Sequence, residues 1–228
     1  MTYDLFIGNK NYSSWSLRPW VLMRELNIPF RENLVPFGGA QNPHAFRGFS
    51  PTGKVPCLVD GPITVWDSLS ITEYLAERHA GVWPADLAAR AWARSASAEM
   101  HSGFFGLRNT CTMNCGLRVS LRAVDPALSR DLARLEELWA DGLGRFGGPF
   151  LTGARFCAVD AFFAPVAFRL QTYEPPIGGG ARRYAAHLLA LTPMKDWYAA
   201  ALQETWRDEE HETEARAVGE WRQDLRAG

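Results

Sequence analysis

The stretch "NYSSWSLRPW", residues 11–20, places serines directly before a predicted helix: Ser13, Ser14 and Ser16. Serine is a common N-cap, because its hydroxyl accepts a hydrogen bond from a free backbone N–H of the first helical turn. The same place lies at the positive end of the helix dipole, where it suits a reactive group. One cap needs one serine, so the stretch alone fits capping and catalysis about equally.

Two further short motifs have chemistry of their own. In "GKVPCL", Val55-Pro56 stands at the start of a predicted strand, where a cis X-Pro bond would expose a backbone edge to a ligand. Proline is also unremarkable at a strand start. In "WDSLSITEYL", Asp67-Ser68 heads a predicted helix, where a hydroxyl and free N–H groups can hold a carboxylate and Asp67 can meet an ammonium group. A plain N-cap explains this second motif about as well.

The elements that must position these residues follow from hydrophobic periodicity. Strand-like "YDLFI", helical "LRPWVLMREL" and strand-like "FRENLV" predict a βαβ unit with parallel strands. Then "VPCLVD" and "ITVW" form a hairpin around Asp60-Gly61, and "SLSITEYLAERH" forms a helix. Pro19 is tolerated in a first turn, so the first helix is predicted to begin at about Ser16 or Leu17.

This order of elements is the thioredoxin-like layout, in which the loop between strand 1 and helix 1 holds the reactive group. Redox proteins with this layout place Cys-x-x-Cys there. Ser13-Ser14-Trp15-Ser16 has serine at both positions that such a pair would occupy. Dithiol chemistry at this loop is therefore excluded.

The second half of the chain has a different pattern. Beyond "HAGVWPADLAARA" alanine, leucine, arginine and glutamate dominate at helical spacing, which predicts an all-helical domain. Gly81 and Pro84 interrupt two helical patterns, so the predicted domains are 1–80 and 86–228. The charged tail "RDEEHETEARAVGEWRQDL" is expected to be a solvated helix on the surface, anchored by Trp206 and Trp221.

The amino-acid composition limits the classes of binding partner. The 24 basic and 25 acidic residues give a net charge of −1, which offers no electrostatic footprint for nucleic acid or an anionic membrane. A small-molecule substrate is expected instead. The N-terminal residues lack the pattern of a signal peptide and no segment is apolar enough to span a membrane, so we expect a cytoplasmic protein. The four cysteines, Cys57, Cys111, Cys115 and Cys157, have neither disulfide-framework nor zinc-site spacing, and no metal is expected.

The combination of "SSWSLRPW", "GKVPCLVDG" and "WDSLSITEYLAE" ahead of a helical domain resembles the soluble glutathione S-transferase family over nearly the whole chain. The serine-type, zeta-like and bacterial members are most similar, because their Ser-Ser-x-x-x-Arg pattern matches Ser13, Ser14 and Arg18. The resemblance implies an α/β plus all-α fold, glutathione as co-substrate, no metal, a homodimer and a role in detoxification.

The resemblance also implies roles for individual residues. The hydroxyl of Ser13, with Ser14 as competitor, would donate a hydrogen bond to the glutathione thiolate. Val55, ahead of Pro56, would pair its backbone with the cysteinyl unit. Asp67 and Ser68 would hold the γ-glutamyl end, and Lys54 could reach the glycyl carboxylate or the thiolate side.

The second substrate would lie against the helical domain, near "EMHSGFFGLRNTCTMN". Candidate wall residues are Trp15, His101, Phe104, Arg108 and Met113, although aromatic residues and methionine at helical spacing usually form a core. Arg108 would suit an acidic or carbonyl-bearing substrate.

Three functions remain open at this stage. The first is attack of the glutathione thiolate on a small electrophile. The second is a glutathione-dependent cis-trans isomerase similar to maleylacetoacetate isomerase, but Trp15 stands where many such enzymes have cysteine. The third is a non-catalytic binding protein, which would not need Ser13, Pro56, Asp67 and Ser68 together. A serine hydrolase is disfavoured because the sequence has no G-x-S-x-G motif.

Overall fold

The computed structural model describes residues 2–37 and 44–226. The first part contains a four-stranded sheet and two helices: β1 Tyr3–Ile7, α1 Ser14–Glu25, β2 Phe30–Leu34, β3 Cys57–Asp60, β4 Ile63–Trp66 and α2 Ser68–Ala76. The strand order is β2-β1-β3-β4, with β1 and β2 parallel and the other neighbours antiparallel. The predicted thioredoxin-like arrangement is confirmed.

Buried and half-buried residues alternate along β1, which shows which face of the sheet packs against the core. Tyr3, Leu5 and Ile7 are buried and the residues between them are half-buried, as expected for a strand with one face on the core. Gly61 turns the β3–β4 hairpin with a φ of 57°, a value that glycine adopts without steric cost. The Val55-Pro56 bond is cis.

Helix α1 begins earlier than the sequence predicts. Its first residue is Ser14, with Ser13 as the N-cap, and Pro19 lies inside the helix instead of in the first turn. The helix continues through Pro19 because α1 is buried almost throughout, from Ser16 to Met23. Packing against the sheet and against the helical part outweighs the one hydrogen bond that proline cannot donate.

The second part is mostly helical. Its helices are α3 Leu87–Ser102, α4 Phe105–Thr110, α5 Pro126–Phe146, α6 Ala158–Tyr173, α7 Gly179–Leu189, α8 Thr192–Leu202 and α9 Glu209–Val218. Helix α6 is buried along nearly its whole length and packs against α1, α3 and α7. The hydrophobic core is continuous from the sheet through α1 into this helix.

One feature of the helical part was not predicted from the sequence. Strand β5, Leu117–Leu121, pairs with β6, Gly219–Asp224, in a two-stranded antiparallel sheet. The tail is therefore a helix followed by a strand, and Trp206 is exposed while Trp221 packs against the core. The charged sequence of β6 hides its strand character, because only one of its six residues, Gly219, is buried.

The cysteines are free and buried. Burial raises the pKa of the Cys111 and Cys157 thiols to about 12, so both remain protonated and unreactive at neutral pH. Among the described helices, none is both long and apolar enough to cross a membrane.

Candidate functional site

The loop between β1 and α1 presents Ser13 at the N-terminus of the helix. Ser13 is only 5% exposed, and its hydroxyl donates to the Ser16 hydroxyl over 2.7 Å. Ser16 in turn accepts the Gly8 backbone N–H over 3.2 Å. Ser13 occupies the N-cap position, yet its side chain makes no capping hydrogen bond within the described residues. Helix capping therefore does not account for its hydroxyl.

Ser14 is the first residue of α1 and points to different partners. Its hydroxyl oxygen accepts a hydrogen bond from Arg169 Nη2 over 3.3 Å. Arg169, on α6, is buried and also donates to the backbone carbonyls of Arg108 and Cys111. Burial lowers the pKa of Arg169 to about 10, still far above neutrality. Ser14 is thus joined to the helical part, whereas Ser13 is joined to its own helix and, through Ser16, to Gly8 directly after β1.

Residues near the end of the chain hold the loop that carries Ser13. The carboxylate of Glu204 accepts the backbone N–H groups of Lys10, over 2.5 Å, and Asn11, over 3.1 Å. Trp197 Nε1 donates to the Lys10 carbonyl over 2.8 Å. Asn11 Nδ2 also donates to Asn114 Oδ1 over 2.9 Å. The loop is fixed by partners more than 100 residues away, so its geometry depends on the helical part.

A cavity of about 330 Å³ opens at Ser13. Its N-terminal wall consists of Tyr12, Ser13, Ser14, Trp15, Phe37, Phe46, Gly53, Lys54 and Val55. Its C-terminal wall consists of Arg108, Asn109, Thr112, Met113, Arg169, His211 and Glu214. A larger cleft of about 810 Å³ lies around Leu26, Trp83 and Phe156. None of the predicted site residues lines that cleft, so we take the smaller cavity as the candidate site.

The predicted glutathione-binding residues fall into two groups. Lys54 and Val55 line the cavity, and the Lys54 backbone N–H donates to Ser50 Oγ over 3.3 Å, which fixes the turn before the cis bond. Pro56 is buried behind them.

Asp67 and Ser68, at the head of α2, form the second group. Asp67 Oδ1 accepts the Leu69 N–H over 2.8 Å, so Asp67 caps the helix. Ser68 is 1% exposed, and its hydroxyl has no hydrogen-bond partner among the described residues. A buried unpartnered hydroxyl costs stability, and neither Asp67 nor Ser68 is among the residues that line the described cavity.

Only some of the candidate wall residues for the second substrate line the cavity. Trp15, Arg108 and Met113 line the cavity. The guanidinium of Arg108 lies 4.6 Å from the centre of the Trp15 ring and that of Arg18 lies 4.2 Å from it, which are cation–π contacts. Phe104 instead packs edge-on against Phe163 in the core and does not line the described cavity.

His101 likewise lies outside the cavity lining. Its Nε2 is 3.5 Å from Asp67 Oδ2, and its ring lies edge-on 5.2 Å from that of Trp15. Burial lowers the pKa of His101; Arg18 and Arg108 lower it further, while Asp67 opposes them. The histidine therefore connects the head of α2 to the cavity through Trp15, and its neutral form is favoured.

Sequence reasoning missed Tyr12, Phe37, Arg169, His211 and Glu214 in the cavity. Tyr12 is nearly fully buried; its hydroxyl donates to Glu212 and accepts from Arg226 Nη1 over 2.8 Å. Burial, with the Glu212 hydrogen bond, raises the Tyr12 pKa to about 12. This hydroxyl is engaged in a structural network, so it is a poor candidate for activating a ligand despite its place beside Ser13. No local pattern marks the α9 residues as part of a site.

The chain is similar to known proteins in sequence and in fold. Residues 12–78 match the family model for the N-terminal domain of glutathione S-transferases. A dichloromethane dehalogenase of Methylorubrum extorquens is 42% identical over 65 residues, which span 27% of this chain and 23% of that protein. A zeta-class glutathione S-transferase of Euphorbia esula is 32% identical over 134 residues, 56% of this chain and 58% of that protein. The aligned part thus spans less than two thirds of either relative.

Among solved structures, a glutathione transferase homologue from Burkholderia with bound glutathione superposes with a TM-score of 0.67. The superposition covers 90% of this chain and 100% of that one at 22% sequence identity, so it shows that the two proteins share a fold. Residues 12–78 are therefore similar to the N-terminal domain of glutathione S-transferases, and the chain has the glutathione transferase fold.

Proposed function

We propose that the protein is a glutathione transferase in which the hydroxyl of Ser13 stabilises the thiolate of glutathione for attack on a small electrophile. A free cysteine thiol has a pKa of about 8.5, so only a few per cent is ionised at neutral pH. Lowering that pKa by two units takes about 2.7 kcal/mol. A hydrogen bond to a charged group, together with the positive end of a helix, is of that size.

The observation that carries the proposal is the state of the Ser13 hydroxyl. It belongs to the N-cap residue and lines the cavity, but it does not cap the helix. A hydroxyl can rotate, so Ser16 can donate to Ser13 while Ser13 donates to the sulfur. The Gly8 N–H behind Ser16 would then polarise the chain of hydroxyls and strengthen the last hydrogen bond.

Ser14 is the competing hydroxyl, and its partner makes it the weaker candidate for the thiolate. Arg169 holds its oxygen on the helical side of the cavity. We therefore assign Ser13 to the glutathione sulfur. Ser14, with Arg169, is assigned to the region where the electrophile approaches that sulfur.

The remaining glutathione contacts follow the two groups of predicted residues. The backbone of Val55 would pair with the cysteinyl unit, and Lys54 would meet the glycyl carboxylate. The free hydroxyl of Ser68 and the N-terminus of α2 would hold the γ-glutamyl carboxylate, with Asp67 at its ammonium group. Trp15, Arg108 and Met113 would contact the electrophile. We further propose that residues 1–80 and 86–228 act as two domains and that the protein forms a homodimer.

Calorimetric titration with glutathione, followed by a conjugation assay with an activated aryl halide, tests the proposal. We expect wild type to bind glutathione and form the conjugate, and Ser68→Ala to bind more weakly because the γ-glutamyl carboxylate loses a donor. Binding with isomerisation of a cis-enone but no conjugate would indicate an isomerase. Binding with neither reaction would indicate a binding protein, and absence of binding would rule out all three functions.

A further inference from the structure

We propose that His211, oriented by Asp208, accepts the proton that glutathione loses when its thiol ionises in the cavity, and passes this proton to solvent. The inference rests on the proposed function, because it concerns the same cavity and the same sulfur. It adds a proton acceptor on α9 to a site in which Ser13, on the N-terminal wall, donates the hydrogen bond to the thiolate.

The pairing with Asp208 decides which nitrogen of His211 is basic. Nδ1 of His211 lies 2.6 Å from Asp208 Oδ2. An ionised carboxylate only accepts hydrogen bonds, so Nδ1 carries the proton and Nε2 has the free lone pair. Asp208 is the N-cap of α9, accepts the His211 backbone N–H over 3.3 Å, and is itself only 14% exposed as a side chain. The carboxylate is therefore fixed independently of the imidazole.

Two aromatic rings fix the plane of the imidazole. The Phe37 ring stacks on it, with centres 5.5 Å apart and planes 5° apart. The Tyr12 ring lies 5.0 Å away, and its hydroxyl is held by Glu212 and Arg226. Tyr12 directly precedes Ser13, so the residue that supports the imidazole is bonded to the residue that faces the sulfur.

Ser13 and His211 line the N-terminal and C-terminal walls of one cavity of about 330 Å³, and we place the glutathione thiol between them. The charged side chains that line the described cavity, together with His211 of the His211–Asp208 pair, are Lys54, Arg108, Arg169 and Glu214. The three cations favour a thiolate over a thiol. The His211 side chain is 29% exposed, so its proton can leave to water.

The step balances without any further reactant. The S–H bond of glutathione breaks and its electron pair stays on sulfur, while an N–H bond forms at Nε2 of His211. Water then removes that proton and restores the neutral imidazole. Ser13 donates its hydrogen bond to the sulfur throughout and exchanges no proton.

The second histidine–carboxylate contact in the described part of the chain does not fit this role. His101 lies 3.5 Å from Asp67, beyond hydrogen-bond distance, and does not line the cavity. The contact is also flanked by the guanidinium groups of Arg18 and Arg108.

The test follows thiolate absorbance after rapid mixing of the full-length protein with saturating glutathione, for wild type, His211→Ala and His211→Gln. His79→Ala is the matched control, because His79 bonds to the Tyr3 hydroxyl far from the cavity lining. We expect both His211 variants to reach the wild-type amplitude at least about tenfold more slowly, since a positioned base contributes typically 10²-fold or more. Added imidazole should restore the rate of His211→Ala, and His79→Ala should match wild type.

Wild-type rates in both His211 variants would overturn the inference. So would a slow rate with reduced amplitude and no rescue by imidazole, because that pattern belongs to a residue that only shapes the cavity. Failure of wild type to form any thiolate would instead refute the proposed function itself, so the two failures are distinguishable.

Discussion

The two walls of the cavity differ in how their residues are distributed along the chain. The N-terminal wall comes from segments within residues 12–55, and each of its polar residues stands beside a recognisable turn or helix start. The C-terminal wall consists of residues from α4 and the segment directly after it, from α6 and from α9, which are spread from Arg108 to Glu214. A short motif can specify the first wall, whereas only the packing of distant helices can form the second.

The packing that forms the second wall is polar as well as apolar. Glu212 and Arg226 are each 1% exposed as side chains and form an ion pair, which also includes the Tyr12 hydroxyl. These contacts fasten α9, with His211, over the loop that carries Ser13. Tyr12 and Glu212 are 200 residues apart in the sequence, and neither residue type signals the contact in advance.

The largest expected effect comes from breaking this ion pair. Glu212→Ala would leave the buried Arg226 guanidinium with only the more distant Asp224 carboxylate, 3.8 Å away, among the described residues. We therefore expect the free energy of unfolding to fall by about 3–5 kcal/mol. Urea denaturation followed by tryptophan fluorescence measures the change. Glu210→Ala, exposed on the same helix, is the control and should stay within about 0.5 kcal/mol of wild type. Equal losses in the two variants would show that α9 is not fastened through Glu212.

A smaller effect is expected from pH, through Tyr12. Its folded pKa of about 12 lies above the ordinary value of 10, so its contribution to stability is complete below pH 10 and is lost as the pH rises towards 12. The margin in unfolding free energy of wild type over Tyr12→Phe should therefore shrink by about 1.4 kcal/mol per pH unit in this window.

Urea denaturation of both proteins at matched pH values measures that margin. The other buried tyrosines, Tyr3, Tyr173 and Tyr184, are present in both proteins and cancel in the difference. A margin that stays constant above pH 10 would mean that Tyr12 is not held in the Glu212 network, and the C-terminal wall would lose its link to the Ser13 loop.

The sequence predicts the parts of this protein that local physics determines. The βαβ unit and the β3–β4 hairpin at Gly61 agree with the structure. The sequence marks Val55-Pro56 only as a place where a cis bond would expose a backbone edge, and the structure shows that the bond is cis. The structure starts α1 earlier than predicted, at Ser14, because burial of most of the helix, from Ser16 to Met23, allows it to continue through Pro19. The pairing of β5 with β6 was missed because it joins segments about 100 residues apart and one of them is highly charged.

The same distinction applies to the candidate site: local motifs identify some of its residues, and the fold alone identifies the others. Ser13, Ser14, Lys54 and Val55 could be selected from short motifs, and they line the cavity. On the helical side, residue type alone does not separate Met113, which lines the cavity, from Phe104, which lies in the core. His211 belongs to a segment whose composition is typical of a solvated helix, and only the fold brings it to the cavity.

The most direct test of the central claim is the pH titration of the bound glutathione thiol, followed by thiolate absorbance in wild type, Ser13→Ala and Ser14→Ala. Loss of a hydrogen bond to a charged group costs about 1.5–3 kcal/mol, so Ser13→Ala should raise the pKa of the bound thiol by about 1–2 units. Ser14→Ala should leave it within a few tenths of a unit. A wild-type titration in Ser13→Ala, or the full shift in Ser14→Ala, would contradict the assignment of the thiolate to Ser13.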